Sequence, residues 1–240
     1  MPKRRIRVKN KTEILHDIVP QTDGQQRLLD AIRNKSIIIC DGPAGTGKTF
    51  ISFGSALRYY IDDPNIQRIV IVRPTIGAGD EPRLGFLPGT LNDKMAPFLA
   101  PILRDSAPLL LKAKLKTNSE ESFITRFGNN RSQTDVLLSQ FDIETVPLHL
   151  MRGRTFNNAF VILDEAQNCN MGDFKLFLTR IGKKSRVIIE GDSTQKDRFD
   201  GSLPELISKL SGLACVGTVK LDYSDIVRNK MISDILKCLE

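Results

Sequence analysis

The sequence predicts an α/β fold with a mostly parallel central sheet flanked by helices. Three observations predict it. Short apolar, β-branched runs alternate along the chain with segments of helical spacing, the pattern of strands joined by crossover helices. Residues 42–49 read Gly-Pro-Ala-Gly-Thr-Gly-Lys-Thr, a complete phosphate-binding loop set between one such run and one such segment. Polar clusters follow several of the apolar runs, where open α/β sheets place their ligands.

The elements follow in order. In residues 20–34, Asp23 is placed to cap a helix in which Leu28, Leu29 and Ile32 share an apolar face. Gln25 and Gln26 fall in its first turn. An amide there donates and accepts at once, so it can read an adenine edge; a solvent-facing Gln fits the same spacing. Residues 36–40, Ser-Ile-Ile-Ile-Cys, read as a buried strand, with Cys40 a core thiol. Residues 50–60 carry Phe50, Phe53, Leu57 and Tyr60 at helical spacing. Residues 68–72, Arg-Ile-Val-Ile-Val, form another strand that runs into Arg73-Pro74-Thr75. A Gly/Pro-rich loop at 77–89 precedes a proline-interrupted helical stretch at 91–111. Residues 112–131 are polar and charged and take no firm assignment. A short helix at 134–141 and a strand at 143–148 lead to a polar loop at 151–158 containing Arg152 and Arg154. The run Ala-Phe-Val-Ile-Leu at 159–163 is a strand ending in Asp164-Glu165-Ala166-Gln167. A helix at 173–181 leads to a strand at 186–190, which ends in Gly191-Asp192-Ser193-Thr194-Gln195. A helix at 204–210, a strand at 216–221 and a helix at 225–239 carrying Arg228 complete the pattern.

The chemistry follows from the loop. Its glycines let the backbone of Gly42, Pro43, Ala44, Gly45, Thr46 and Gly47 curl so that N–H groups face phosphate oxygens. The helix that follows adds the partial positive charge of its N-terminus. Lys48 reaches the β- and γ-phosphates of ATP, and the Thr49 hydroxyl ligates Mg²⁺. An apolar strand ending in Asp-Glu supplies the metal half of such a site. Asp164 holds the Mg²⁺, usually through water, and Glu165 polarises the attacking water. Gln195 is placed to contact the γ-phosphate or that water.

Composition bounds the rest. At 240 residues with ordinary apolar and charged fractions, the chain reads as one large globular domain. No apolar run approaches the ~20 residues of a membrane span. The basic N-terminus leads into no apolar segment, so neither a span nor a signal peptide is expected and the location expected is cytoplasmic. Six of the seven net positive charges sit in residues 1–11, as Lys3, Arg4, Arg5, Arg7, Lys9 and Lys11 with no acid among them. The remaining chain is close to neutral. The arm suits nucleic-acid contact or a solvated tail, and both readings stand. The division expected is a basic arm at 1–19 and one ATPase domain at 20–240, with an inserted region at about 76–142. The four cysteines lie far apart and both histidines are isolated. Nothing but the Mg²⁺ site has metal-ligand character, and no cysteine or serine nucleophile with a base is in evidence.

The order GPAGTGKT, VRPTIGAG…LGFLPG, MRGRTF, ILDEAQN, FLTRIG, GDSTQKD and DIVRN resembles the PhoH-like family. Its members are predicted ATPases with a RecA-like core similar to the first motor domain of superfamily 1 helicases. The resemblance implies a RecA-like P-loop NTPase that hydrolyses ATP with Mg²⁺ and couples it to RNA or single-stranded DNA. It casts Gln25 as an adenine reader and Gly45, Gly47, Lys48 and Thr49 as the phosphate grip. It casts Asp164 and Glu165 as the metal-binding and catalytic pair, Gln195 as γ-phosphate sensor, and Arg73 as the arginine after the second strand of helicases. Arg228 falls where the family has an arginine able to act as an arginine finger. The chain departs from the pattern in a longer Gly79-Asp80-Glu81-Pro82-Arg83 loop, in Gln21 where Lys is common and in Asn229 where His is common. Some relatives carry a nuclease or a nucleic-acid-binding domain beside the ATPase. The length expected here is that of a compact stand-alone form typical of phage-encoded members, acting in the host cytoplasm.

One phosphate loop and one sheet leave no second lobe to supply a finger. A homo-oligomeric ring such as a hexamer is therefore expected, with Arg228 acting across the interface. Arg180 is the second choice, and an ordinary Asp225–Arg228 contact is the alternative. Two competing functions stand beside the helicase-like ATPase: a nucleotide-dependent switch or assembly protein without a nucleic-acid track, and a small-molecule kinase. The Asp-Glu pair with Gln195 fits water activation better than transfer to a metabolite.

Overall fold

The computed structural model describes residues 15–74, 102, 106, 109–110, 141–195 and 202–227. The expectations for residues 1–14, the 77–89 loop, most of 91–140 and Arg228 fall outside them. The described elements are α1 (Asp23–Asn34), β1 (Ile37–Asp41), α2 (Lys48–Asp62), β2 (Arg68–Arg73), β3 (Ile143–Pro147), β4 (Ala159–Leu163), α3 (Met171–Leu178), β5 (Arg186–Gly191), α4 (Leu203–Leu210) and β6 (Val216–Lys220).

The six strands form one sheet in the order β3-β2-β4-β5-β1-β6, and every pairing is parallel. Parallel strands are buried on both faces, which is why they read as continuous apolar runs. The two-residue period then divides each run. Ile38, Cys40, Ile69, Ile71, Ile162 and Ile188 join Leu28, Ile32, Phe53 and Leu57 of α1 and α2. Ile39, Val70, Val72, Val161, Leu163, Val187 and Ile189 join Phe174 and Phe177 of α3 and Leu203 and Leu206 of α4. So α1 and α2 cover one face and α3 and α4 the other. With all strands parallel, the segments after β1, β2, β4 and β5 emerge at one edge.

Several expectations need correction, among them the helix expected at 173–181, which runs Met171–Leu178, and the strand expected to reach 221, which ends at Lys220. Thr22, not Asp23, caps α1: its hydroxyl accepts from the Gln25 N–H, while Asp23 lies in the first turn. The strand expected to reach residue 148 ends at Pro147, and Leu148–Met151 tightens into a 3₁₀ turn. The helix expected from 225 does not begin there. Tyr223–Asp225 is a single 3₁₀ turn closed by reciprocal bonds between Asp222 and Asp225. The chain then leaves it extended, and the Val227 N–H donates to Gly45 O at 3.2 Å. Packing also begins before residue 20: Leu15 is buried, and the His16 N–H donates to Leu110 O. Among the described residues no helix is long and apolar enough to cross a membrane.

Candidate nucleotide-binding site

The phosphate loop runs from the end of β1 to the start of α2. Gly42 is packed so closely that a Cβ there would lie 2.6 Å from the Leu221 Cβ. Gly47 caps α2 in the left-handed region, with φ 82° and no side-chain cap. The first N–H groups of α2 therefore have no side-chain acceptor at the cap, the arrangement an anion needs. The Lys48 ammonium turns back on the loop and donates to Gly42 O at 2.5 Å and Pro43 O at 2.8 Å. The Thr46 hydroxyl closes the same curl on Pro43 O.

Gln25 is buried rather than solvent-facing. Its Nε2 donates to Thr46 O at 2.9 Å, and its Oε1 accepts from the Gln21 N–H at 2.8 Å. It props the loop from α1. Gln26 turns outward to Asp30.

Asp164 lies one residue beyond β4 and is buried. Its Oδ2 accepts from Arg73 Nε at 2.8 Å and Nη2 at 2.5 Å, and its Oδ1 accepts from the Glu165 N–H. Arg73 and Asp164 thus meet across the edge from neighbouring strands, and the Arg73 Nη2 also stands 3.9 Å from Glu165 Oε1. Glu165 has φ 57° and ψ 39°, left-handed for a residue with a side chain. Strain of this kind costs about 1–3 kcal/mol and persists where surroundings impose it. The surroundings here include Gln167, whose Nε2 donates to Glu165 Oε2 at 2.7 Å while its Oε1 accepts from the Asp192 N–H. Gln167 ties the end of β4 to the end of β5. Asp41 does the same between β1 and β5 by accepting from the Ser193 N–H and hydroxyl. Gln195 is exposed at the end of that segment, with its N–H on Asp192 O.

The structure brings Gln25, residues 42–49, Arg73, Asp164 and Glu165 together with the segment leading to Gln195. Arg180 stands apart: its carbonyl accepts from the Phe156 N–H, ahead of the start of β4, at the opposite sheet edge. Arg154 pairs with Glu144 and packs 4.8 Å from the Phe156 ring centroid, while Arg152 is exposed. Sequence reasoning missed Glu190, the last residue of the Arg-Val-Ile-Ile-Glu run. It is fully buried, and its Oε2 accepts from the Ser52 hydroxyl at 2.5 Å. Its Oε1 has no hydrogen-bond partner. Burial and then the Asp164 charge push its carboxyl up to about 7, against the Ser52 and Thr49 hydroxyls and Lys48. Burial, with Glu190 next, also raises the Cys40 thiol. The signal available was an acid closing an otherwise apolar strand.

The residues fit a nucleotide with its divalent ion. Among the described residues no three His, Cys, Asp or Glu are grouped to hold a metal unaided. Mg²⁺ keeps waters and takes a carboxylate or two plus phosphate oxygens, and Asp164 with the Thr49 hydroxyl is a donor set of that kind. The bare Glu190 Oε1 and the buried, unpartnered Asp192 Oδ2 leave acceptor capacity at this edge.

A family described as PhoH-like protein matches residues 17–240. A PhoH-like protein of Mycobacterium bovis is 37% identical over 222 residues, covering 91% of this chain and 57% of that protein. One of Bacillus subtilis is 34% identical over 223 residues, covering 92% of this chain and 63% of that protein. The chain thus spans less than two thirds of either relative. In fold it is similar to the large terminase of a thermophilic bacteriophage, solved with ADP, at a TM-score of 0.55 and 14% identity over 92% of this chain and 50% of that one. With the phosphate loop, the Asp164–Glu165 pair and the parallel sheet now placed, the chain belongs to the PhoH-like family.

Proposed function

We propose that this chain binds ATP with Mg²⁺ and hydrolyses it, and couples hydrolysis to RNA or single-stranded DNA in the cytoplasm. The observation that carries the reading is the meeting of the phosphate loop with Asp164 and Glu165 at one sheet edge. In this reading the loop N–H groups and the start of α2 bind the phosphates, and Lys48 exchanges its bonds to Gly42 O and Pro43 O for phosphate oxygens. Thr49 and Asp164 hold the Mg²⁺, which neutralises phosphate charge. Arg73 leaves Asp164 further acceptor capacity, since a carboxylate offers about four lone-pair positions. Glu165 takes the proton of the attacking water, oriented by Gln167, and Gln195 senses the γ-phosphate. Gln25 serves the adenine end of the site. Family membership and the ADP bound by the similarly folded terminase support the nucleotide half. The basic residues 1–11 support the nucleic-acid half.

The division into an N-terminal arm and an ATPase domain with an insertion near 76–142 belongs to the same proposal, with the boundary drawn before the buried Leu15 rather than at 19, as does a homo-oligomeric ring with Arg228 in trans. Val227 bonded to Gly45 of its own chain favours a second reading in which Arg228 serves its own site. The test of function measures ATP turnover with RNA, with single-stranded DNA and with neither. Turnover that rises with a nucleic acid supports the coupling. Slow turnover indifferent to both favours the nucleotide switch, and no turnover with bound ATP overturns the reading.

A further inference from the structure

The strand order sets one carboxylate where the function above gives it no task. β5 lies between β4 and β1. Ile189 is in register with Leu163, so Glu190 stands level with Asp164; on the other side Glu190 pairs with Cys40. Ile162 and Ile188 both point to the α2 face. Two residues on, Asp164 and Glu190 point the same way, beneath the first turns of α2. Ser52 of α2 confirms this for Glu190 by donating to its Oε2.

A fully buried carboxylate is costly unless its oxygens are matched. A Ser52 hydroxyl satisfies one oxygen. The other has no hydrogen-bond partner of normal geometry; the Thr49 hydroxyl and Lys48 favour the charged carboxyl, and Asp164 opposes it. A neutral Gln would serve Ser52 as well without that cost. In the metal-free chain a proton offsets part of that cost; the partner that suits an acceptor beside Thr49 and Asp164 is a cation or the water it carries.

The geometry points to Glu190 as an outer ligand of the divalent ion: its Oε1 would accept from water on an ion that Thr49 and Asp164 would hold. Glu190 does not bind the ion directly in this assignment, and it touches neither phosphate nor attacking water. It is a positioning residue, and the inference rests on the ATP–Mg²⁺ reading. Hydrogen-bonded partners outside the inner ligands commonly set metal affinity by 10–100-fold.

The test uses the full chain with ADP and Mn²⁺, so that no turnover intervenes. Free Mn²⁺ is counted by its electron paramagnetic resonance signal, and ADP affinity is measured separately in EDTA. For E190Q, metal-free ADP affinity should stay within about twofold of wild type while Mn²⁺ affinity of the ADP complex falls about 10–100-fold. Glu190→Ser removes the same charge with a smaller group and carries the same expectation should E190Q fail to fold. Folded variants that bind Mn²⁺ as tightly as wild type overturn the inference while leaving the ATP–Mg²⁺ reading intact. An equal loss of metal-free ADP affinity also overturns it, since Glu190 would then be shaping the loop itself. A wild-type complex that binds Mn²⁺ no better than ADP alone overturns both.

Discussion

Glu165 combines the features expected of a group held for chemistry: a left-handed backbone, a half-exposed carboxylate and a single amide, Gln167, fixing its direction. Glu165→Gln should keep ATP binding and slow hydrolysis at least ~100-fold, the usual size of a general-base effect. Single-turnover assays with bound ATP check it, and a wild-type rate would remove Glu165 from the role. Glu190 makes a separate prediction for the protein without nucleotide or metal. Its folded pKa, near 7, lies above its ordinary value of 4.5 because burial and then Asp164 outweigh the opposing Ser52, Thr49 and Lys48, with Cys40 its neighbour on β1. The folded state then binds the extra proton, so this contribution to stability is full below about 4.5 and is lost as pH rises towards 7. E190Q should therefore be more stable than wild type at pH 8, with the gap closing as pH falls through that window. Urea unfolding across the window measures it.

At the scale of elements, α2 is held by its buried face more than by its ends. Phe53 is fully buried between that helix and the sheet, and Phe53→Ala should cost about 3–5 kcal/mol in urea unfolding. The strands were legible because double-sided burial writes itself as Ile and Val runs such as Ile69-Val70-Ile71-Val72. The ends were not, because they depend on contacts made after folding. Thr22 displaces Asp23 as cap, and the Asp222–Asp225 pair with the Val227–Gly45 bond stops a helix that spacing alone would start. The site divides along the same line. The phosphate loop and Asp164-Glu165 are contiguous strings and are legible as such. The Arg73–Asp164 pair, the Gln167 bridge and Glu190 exist only because β4 lies beside β2 and β5 lies between β4 and β1. That adjacency differs from chain order, so no spacing rule shows it.

For the whole molecule, charge is concentrated at one end: deleting residues 1–11 removes six of the seven net charges. If the arm binds nucleic acid, deletion should flatten the salt dependence of binding by about 0.7–0.9 per lost phosphate contact and spare basal ATPase. An unchanged slope would move the contact to the body, where Arg152 is exposed. The proposed ring has its own test. Arg228→Ala and Lys48→Ala subunits, each inactive alone, should regain turnover on mixing if Arg228 acts across an interface. No recovery in a mixed oligomer favours action within one chain, and light scattering that finds only monomers with ATP present removes the ring.

The segment after β6 is stitched back to the nucleotide end of the fold at three places. Leu221 closes on Gly42, Asp225 accepts from the Gly24 N–H, and Val227 donates to Gly45. Whatever reshapes the phosphate loop therefore works on the seat of that segment, and the coupling runs equally in reverse. A partner that drew residues 221–227 away would change nucleotide affinity by the same factor by which nucleotide changes the partner's own. Attachment at this end of the chain would thus be a throttle on the loop, adjustable without touching a phosphate.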